Sequence, residues 1–326
     1  MAQESVACPI CEANRPEAFL HVRDIKLFVP GEFDLVRCQN CGLVYMNPRP
    51  GPDDMGAYYP AQYWAPPPPK DAPPYLDTGM RRALELLARD YPGGRVLDVG
   101  CGVGRIPALM RDRGLDAVGL EPYGHARDLA LERYGDLEIV CEVLQEAALP
   151  EASFDAVTFF DVLEHVHDPI GDLRKAHSLL KPGGAVLIKV PNIASLQAKP
   201  FGAWWYGLDT PRHLFHFSPR SLRRALEAAG FTDISVSAVP DKVGALLFEI
   251  SVVYWLRGRL LARKGVEVQP TEGQTVGEAL EGQVYATVPS AGKRAFRWLV
   301  RNVLYAPVAI ENAIGRSVEL LAVARK

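Results

Sequence analysis

Apolar residues in the central part of the chain come in short runs separated by stretches of helical period. RVLDV (95–99), AVGLE (117–121), AVTFF (156–160) and AVLIKV (185–190) are bounded by polar or glycine-containing segments. Runs of that length and composition read as buried strands. Helical stretches lie between them, after Gly104, over 124–134 and over 168–180. The alternation predicts βαβ units around a parallel sheet. KPGG (181–184) marks a turn ahead of the fourth run, and SLRRALEAAGF (221–231) predicts a helix closed by Gly230 at its C-terminal cap. DISVSAV (233–239) and SVELLAVARK (317–326) alternate with the period of strands. MRRALELLARDY (80–91) places Ala83, Leu84, Leu87 and Ala88 on one helical face.

The same pattern divides the chain. Residues 1–60 show little helical periodicity and form a first module. A stiff spacer follows at 61–79, where six prolines stand between Tyr63 and Tyr75. Residues 80–240 carry the alternating core, 241–316 are inserted before the last strand, and 317–326 supply that strand. The insertion holds VGALLFEISVVYWL (243–256), a polar stretch, and FRWLVRNVLYAP (296–307), in which Phe296, Leu299, Val300, Val303 and Leu304 share a helical face. It carries ten basic and seven acidic residues, so a chain of net charge −3 divides into +3 there and −6 elsewhere. A cationic amphipathic element suits a membrane surface or a lipid-linked acceptor. Packing on the core, or against a second copy, is the other use of such a face.

Composition narrows the function classes. With 48% apolar residues over 326 positions a substantial core can be buried, which excludes global disorder. No apolar run reaches the roughly 18–20 residues needed to span a bilayer. The opening MAQESVACPICEANRPE lacks the cationic-then-apolar order of a secretory signal. The expectation is a soluble cytoplasmic protein, at most peripheral to the inner face of the membrane. No global basic excess favours nucleic acid, and the first 60 residues hold more acids than bases, which makes them a poor phosphate binder.

Four of the six cysteines fall in two C-x-x-C pairs, Cys8/Cys11 and Cys38/Cys41, separated by 26 residues. Each pair sets two sulfurs on one tight turn, and Gly42 permits the bend after the second. Two such knuckles supply four thiolates, the tetrahedral set preferred by structural Zn²⁺, with no position left open for water or substrate. Two unrelated surface pairs, or a redox C-x-x-C, are the alternatives.

VLDVGCGVGR (96–105) sets a glycine-rich turn directly after a strand and before a helix. Gly100, Gly102 and Gly104 give G-x-G-x-G, which differs from the dinucleotide spacing G-x-G-x-x-G. Asp98 brings a carboxylate to the strand end, which suits a cationic ligand and repels a pyrophosphate. That favours S-adenosylmethionine (SAM) over a nicotinamide dinucleotide. Glu121 ends the next strand, 23 residues on, where ligands of open α/β sheets sit, and can accept from both ribose hydroxyls.

This segment resembles motif I of the class I SAM-dependent methyltransferases. The resemblance continues through FDAV (154–157), FDVLEHVHDP (160–169), LLKPGG (179–184) and VPN (190–192), over roughly residues 80–240. It is similar to the subgroup containing ubiquinone-type O-methyltransferases. The knuckles followed by CGLVYMNPRP (41–50) resemble zinc-ribbon members of that subgroup, often tied to polysaccharide or natural-product modification. The resemblance implies a Rossmann-like α/β fold: a seven-stranded sheet with helices on both faces, a small zinc ribbon, and a final strand antiparallel beside 233–239. It also implies SAM across Gly100–Gly104, with its ribose on Glu121 and its amino-acid end near Asp98. Asp161 joins this cofactor set. One departure stands in EVLQEAALP (142–150): many relatives carry an aspartate before the residue that contacts adenine, and here Val143 precedes Leu144. The adenine amino group is then left to a backbone carbonyl or Glu142, or 142–145 is simply a polar strand end.

Methyl transfer to a hydroxyl needs an in-line approach and a general base, for which histidine is the usual choice near neutral pH. His165 follows a strand end in DVLEH. Either it is the base, or Asp161, Glu164 and His165 ligate a divalent cation, or Glu164 and His165 merely lock the following helix. WWYGLDTPRHLFHFSP (204–219) is rich in rings and polar groups. As a lid after Asn192, it offers Trp204, Trp205 and Tyr206 as pocket walls, Arg212 to bind the acceptor, and His213 or His216 as the preferred base. A lid held by its own Asp–Arg pair is the other reading. The expected activity is SAM-dependent methylation of a small-molecule, sugar or lipid-linked glycan acceptor. A nucleic-acid methyltransferase and a non-catalytic SAM-binding scaffold are the alternatives.

Overall fold

The computed structural model describes residues 3–27, 29–59, 77–240, 243–262 and 305–326. Residues 61–76 of the proline-rich spacer and most of the insertion, including 296–304 of its expected second helix, lie outside the described residues, and 77–79 of the spacer open the first core helix.

The N-terminal region is built from β1 (Gln3–Glu4), β2 (Pro16–Val22), β3 (Phe33–Cys38), β4 (Val44–Met46) and β5 (Arg49–Pro50). In β3, Phe33, Leu35 and Val36 turn inward while Asp34 and Arg37 face solvent. β2, β3 and β4 form an antiparallel meander, and β1 pairs with β5.

The core begins with α1 (Thr78–Asp90), capped by the Asp77 side chain, which accepts from the Met80 N–H at 2.7 Å. There follow β6 (Arg95–Val99), α2 (Arg105–Arg111), β7 (Asp116–Leu120), α3 (Gly124–Tyr134), β8 (Glu138–Val140), β9 (Phe154–Phe160), α4 (Pro169–Leu179) and β10 (Leu180–Pro191). Beyond a short α5 (Ala198–Phe201) come β11 (Phe215–His216), α6 (Pro219–Ala228) and β12 (Thr232–Val239). The inserted α7 (Val243–Ala262) and α8 (Tyr305–Ala313) precede β13 (Glu319–Arg325).

Seven strands lie in the order β12-β13-β10-β9-β6-β7-β8. β6 to β10 pair in parallel, and β13 is antiparallel to both β10 and β12, as the resemblance implied. Two apolar layers cover the sheet. Val96, Ala156 and Leu187 pack with Leu84 and Leu87 of α1 and Ile106 and Met110 of α2. Leu97, Val157 and Ile188 belong to the opposite layer with Leu173 of α4 and Leu222 of α6. Adjacent residues of one strand therefore serve opposite layers, the period of two that the buried runs concealed.

Two details differ from the sequence reading. KPGG does not stand ahead of β10 but inside it, as an irregularity between Leu180 and Ala185 with Gly183 at φ 78°. The edge strand β8 has only three residues, too few to show a period.

β11 joins neither the core sheet nor a hairpin of its own. It pairs antiparallel with β4, Phe215 opposite Tyr45 and His216 opposite Val44, and completes a four-stranded sheet with the N-terminal meander. The apolar core is correspondingly continuous, running from Cys8, Val22 and Tyr45 through Phe215 to Leu97 and Phe159.

Candidate functional site

Five strand ends, those of β6 to β10, open on one edge of the sheet, where open α/β folds bind ligands. The turn after β6 holds Gly100, Gly102 and Gly104 at φ 66°, 54° and 75°, in the left-handed region that disfavours a Cβ. A Cβ on Gly100 would stand 2.6 Å from Val162, and one on Gly104 2.7 Å from Ala130. At Gly102 it would meet no protein atom within 4 Å, so this face of the turn is open for a ligand. Glu121 is buried and fixed from both sides: Gly102 N–H donates to one oxygen at 2.9 Å and Tyr123 N–H to the other at 3.0 Å. Burial raises its pKa. Val143, 44% exposed, and buried Leu144 follow β8 on the same edge.

Asp98 is in place but inward. It accepts from Thr158 Oγ1 at 2.6 Å beneath the turn, and burial pushes its pKa up to about 7. Asp161, at φ 58°, gives both carboxylate oxygens to Lys189 Nζ, at 2.9 and 2.8 Å. Lys189 is itself buried and also within ion-pair distance of Asp77 and Glu319, which ties the start of α1 to the ends of β9, β10 and β13. The alternative cation triad of Asp161, Glu164 and His165 is therefore not what the fold assembles.

Glu164, His165 and His213 are what it brings together, with three ligand atoms within 4.8 Å of one another. Among the described residues, neither oxygen of the buried Glu164 has a hydrogen-bond partner, and the same holds for His213 Nδ1 and His216 Nε2. Burial, then the Asp161 charge, holds the Glu164 pKa well above the carboxylate range. Burial lowers all three histidines, His165 to about 4 and His216 to about 3, so each ring is neutral at pH 7. His165 Nδ1 lies 3.1 Å from the Arg212 carbonyl, an acceptor that favours a proton on this nitrogen. His213 meets the His165 ring edge-on at 4.5 Å, and its Nε2 faces Asp209 at 3.7 Å and Glu164 at 3.9 Å. His216 sits farther off, 6.3 Å from the His213 ring centre, with no carboxylate within ion-pair distance of it among the described residues.

The lid assignments need two corrections. Arg212 does not face an acceptor. It has zero exposure, and all its N–H groups are engaged by Asp24, Asp209 and the Tyr58 carbonyl. Trp205 is also fully buried, wedged so closely that a Cβ on Gly207 would lie 2.5 Å from its ring, and so cannot wall an open pocket. Trp204 and Tyr206 stay half-buried, and Tyr206 stacks on Tyr254 of α7 at 6.2 Å.

Three residues of this region escaped the sequence reading because they lie in the N-terminal region. Asp24 holds Arg212, Lys26 reaches Asp209, and Tyr59 places its hydroxyl 3.0 Å from His165 Nδ1. Their only signal in the sequence is their residue type.

The four paired cysteines converge as their spacing predicts. The sulfurs of Cys8 and Cys41 lie 3.3 Å apart, those of Cys11 and Cys38 3.5 Å, and all four within 4.8 Å. Both knuckles turn alike, Glu12 at φ 56° and Gly42 at φ 82° returning their N–H to the carbonyls of Cys8 and Cys38. A tetrahedral zinc with bonds of about 2.3 Å separates its sulfurs by about 3.8 Å, which this cluster fits.

The family described as "Methyltransferase domain" matches residues 74–236, half of the chain. The ubiquinone biosynthesis O-methyltransferase of Idiomarina loihiensis is 30% identical over 187 residues, 54% of this chain and 72% of that protein. The protein of the same description from Xanthomonas campestris is 40% identical over 149 residues, 41% of this chain and 62% of its own length. Among solved structures, the phosphoethanolamine N-methyltransferase 2 of Haemonchus contortus in complex with S-adenosyl-L-methionine is 19% identical, with a TM-score of 0.48 over 87% of this chain and 62% of that one. A match over half of the sequence, on the residues that build the glycine turn and the acidic strand ends, places the chain in the class I SAM-dependent methyltransferases.

Proposed function

We propose that the chain methylates a hydroxyl of a small-molecule, sugar or lipid-linked glycan acceptor, with His213 of the lid as the base. The observation that carries this reading is the placing of His213, with one ring nitrogen beside the ionised Asp209 and the other unpartnered. Its Nε2 side faces Asp209 and Glu164, and its Nδ1 has no partner among the described residues. SAM, when bound, supplies an electrophilic methyl group on a sulfonium. The turn Gly100–Gly104 and Glu121 hold that cofactor, and Trp204 and Tyr206 border the acceptor. Nδ1 takes the hydroxyl proton as the new bond forms, and Asp209 stabilises the imidazolium. Burial would raise the Asp209 pKa, but the Lys26 and Arg212 cations outweigh it and keep the group ionised. The names of the relatives, O-methyltransferases of ubiquinone biosynthesis, support oxygen as the methylated atom. Incubation with methyl-labelled SAM and fractionated extracts tests it. Label in a small polar or lipid-linked fraction is expected; label in nucleic acid alone would overturn it.

A divalent cation held by Glu164, His165 and His213 is the second reading, favoured by the two unpartnered oxygens of Glu164. It would polarise the acceptor hydroxyl, and activity restored by a divalent metal after chelation would select it. The four cysteines are proposed to hold a structural zinc, checked by metal analysis at one ion per chain. The protein is proposed to be cytoplasmic. Leu246 and Leu256 of α7, Ile310 of α8 and Ile314 beyond it are exposed, which supports a peripheral lipid contact at the insertion. Among the described residues no helix is long and apolar enough to cross a membrane.

A further inference from the structure

Asp209, Arg212 and His213 belong to the lid, but what holds them comes from the N-terminal region. Asp24, 188 residues away in sequence, grips both terminal nitrogens of Arg212 at 2.8 Å. Its carboxylate also accepts from the backbone N–H groups of Lys26, Leu27 and Val29, so its own loop sets its direction. Lys26, in that loop, places Nζ 2.8 Å from Asp209 Oδ2 and 4.6 Å from the centre of the Tyr206 ring. Asp209 stands at φ 44° and serves Lys26, Arg212 and His213 together.

Two carboxylates and two cations make this cluster neutral, which allows its burial. Burial alone does not explain charges here, because apolar residues of the same volume commonly join two surfaces as firmly. What the charges add is direction. Arg212 is engaged on every side, Asp209 is fixed by Lys26 and Arg212, and the Nε2 side of His213 faces Asp209. The pairing of β11 with β4 carries the lid backbone into the same joint.

We propose that Asp24 and Lys26 are positioning residues for methyl transfer: they set Asp209, and through it the ring of His213, so that the N-terminal region shapes the acceptor side without touching substrate. This rests on the reading of His213 as the base. Asp24→Asn, Lys26→Gln and His213→Ala are compared with the unaltered chain by three measurements: SAM affinity by calorimetry, transfer of labelled methyl into the fractions described above, and the ring signals of ¹³C-labelled histidines. The two positioning variants are expected to keep SAM affinity within about twofold and lose transfer by about tenfold to a hundredfold, the scale of a misplacement near 1 Å. The His213 ring signals should move in both, and Lys26→Arg should restore most of the rate. Lys26 is partly exposed, so Lys26→Gln remains readable if Asp24→Asn fails to fold. Undiminished transfer by folded Lys26→Gln, with His213→Ala inactive, overturns the positioning role alone. Unmoved His213 signals in Lys26→Gln overturn it too. Undiminished transfer by His213→Ala overturns the base, and with it this proposal.

Discussion

The cofactor half and the proposed acceptor half of the site are built by different means. On the cofactor side, a left-handed glycine turn, two backbone N–H groups on Glu121 and an apolar edge at Val143 follow successive strands of one parallel sheet. On the proposed acceptor side, ionisable groups from the N-terminal region, the loop after β9 and the 204–219 segment meet at the buried Asp24, Glu164, Asp209, Arg212 and His213 and the half-buried His165. The first arrangement consists largely of backbone geometry and tolerates change elsewhere. The second turns on the Asp24, Arg212 and Asp209 charges, whose burial is bearable only while each partner is present. The contrast predicts that SAM binding and the proposed acceptor chemistry are separable here, although the two sets of residues share one sheet edge.

The sharpest test of that separation is His213→Ala. Turnover should fall by about 10²–10⁴ while calorimetry shows unchanged SAM affinity; if both fall together, the halves are not independent. Next is Arg212→Met, which leaves Asp24 and Asp209 buried without their shared cation. Urea denaturation should show a loss of about 3–5 kcal/mol. Full stability combined with a raised KM for the acceptor would return Arg212 to substrate binding.

Within the cofactor half, Gly104→Ala adds a Cβ 2.7 Å from that of Ala130 at a left-handed φ, and should cost about 1–3 kcal/mol of stability. Glu121→Ala should weaken SAM binding about tenfold by removing the ribose acceptors, with turnover at saturating SAM nearly kept. Unchanged affinity would take Glu121 out of the site.

The last test reads a slope. Folded Asp98 holds its proton to about pH 7, whereas an unfolded carboxyl releases it near pH 4, so stability should decline as pH rises between those values and level off above. Asp98→Asn should remove that decline, at most about 1.4 kcal/mol per pH unit, in urea midpoints measured from pH 5 to 8. An identical slope in the variant would show that other carboxyls carry it, Glu319 first, whose pKa burial also pushes to about 7.

By itself the sequence determined what contiguous residues decide. The runs at 95–99, 117–121, 156–160 and 185–190 became β6, β7, β9 and β10, because a buried strand needs only its own apolar residues and turn boundaries. Glycine spacing determined the SAM turn, since Gly100, Gly102 and Gly104 alone there accept positive φ without strain. Paired spacing likewise brought the four sulfurs together. Tertiary structure alone decided the rest. It gave Asp161 to Lys189 instead of the Glu164–His165 pair, enclosed Trp205, and turned Arg212 from an acceptor ligand into a strut. It also paired β11 with β4. A local pattern records whether a residue is buried or turned. Which aspartate meets an arginine 188 positions away depends on which sheet edges meet, and that is a property of the assembled chain.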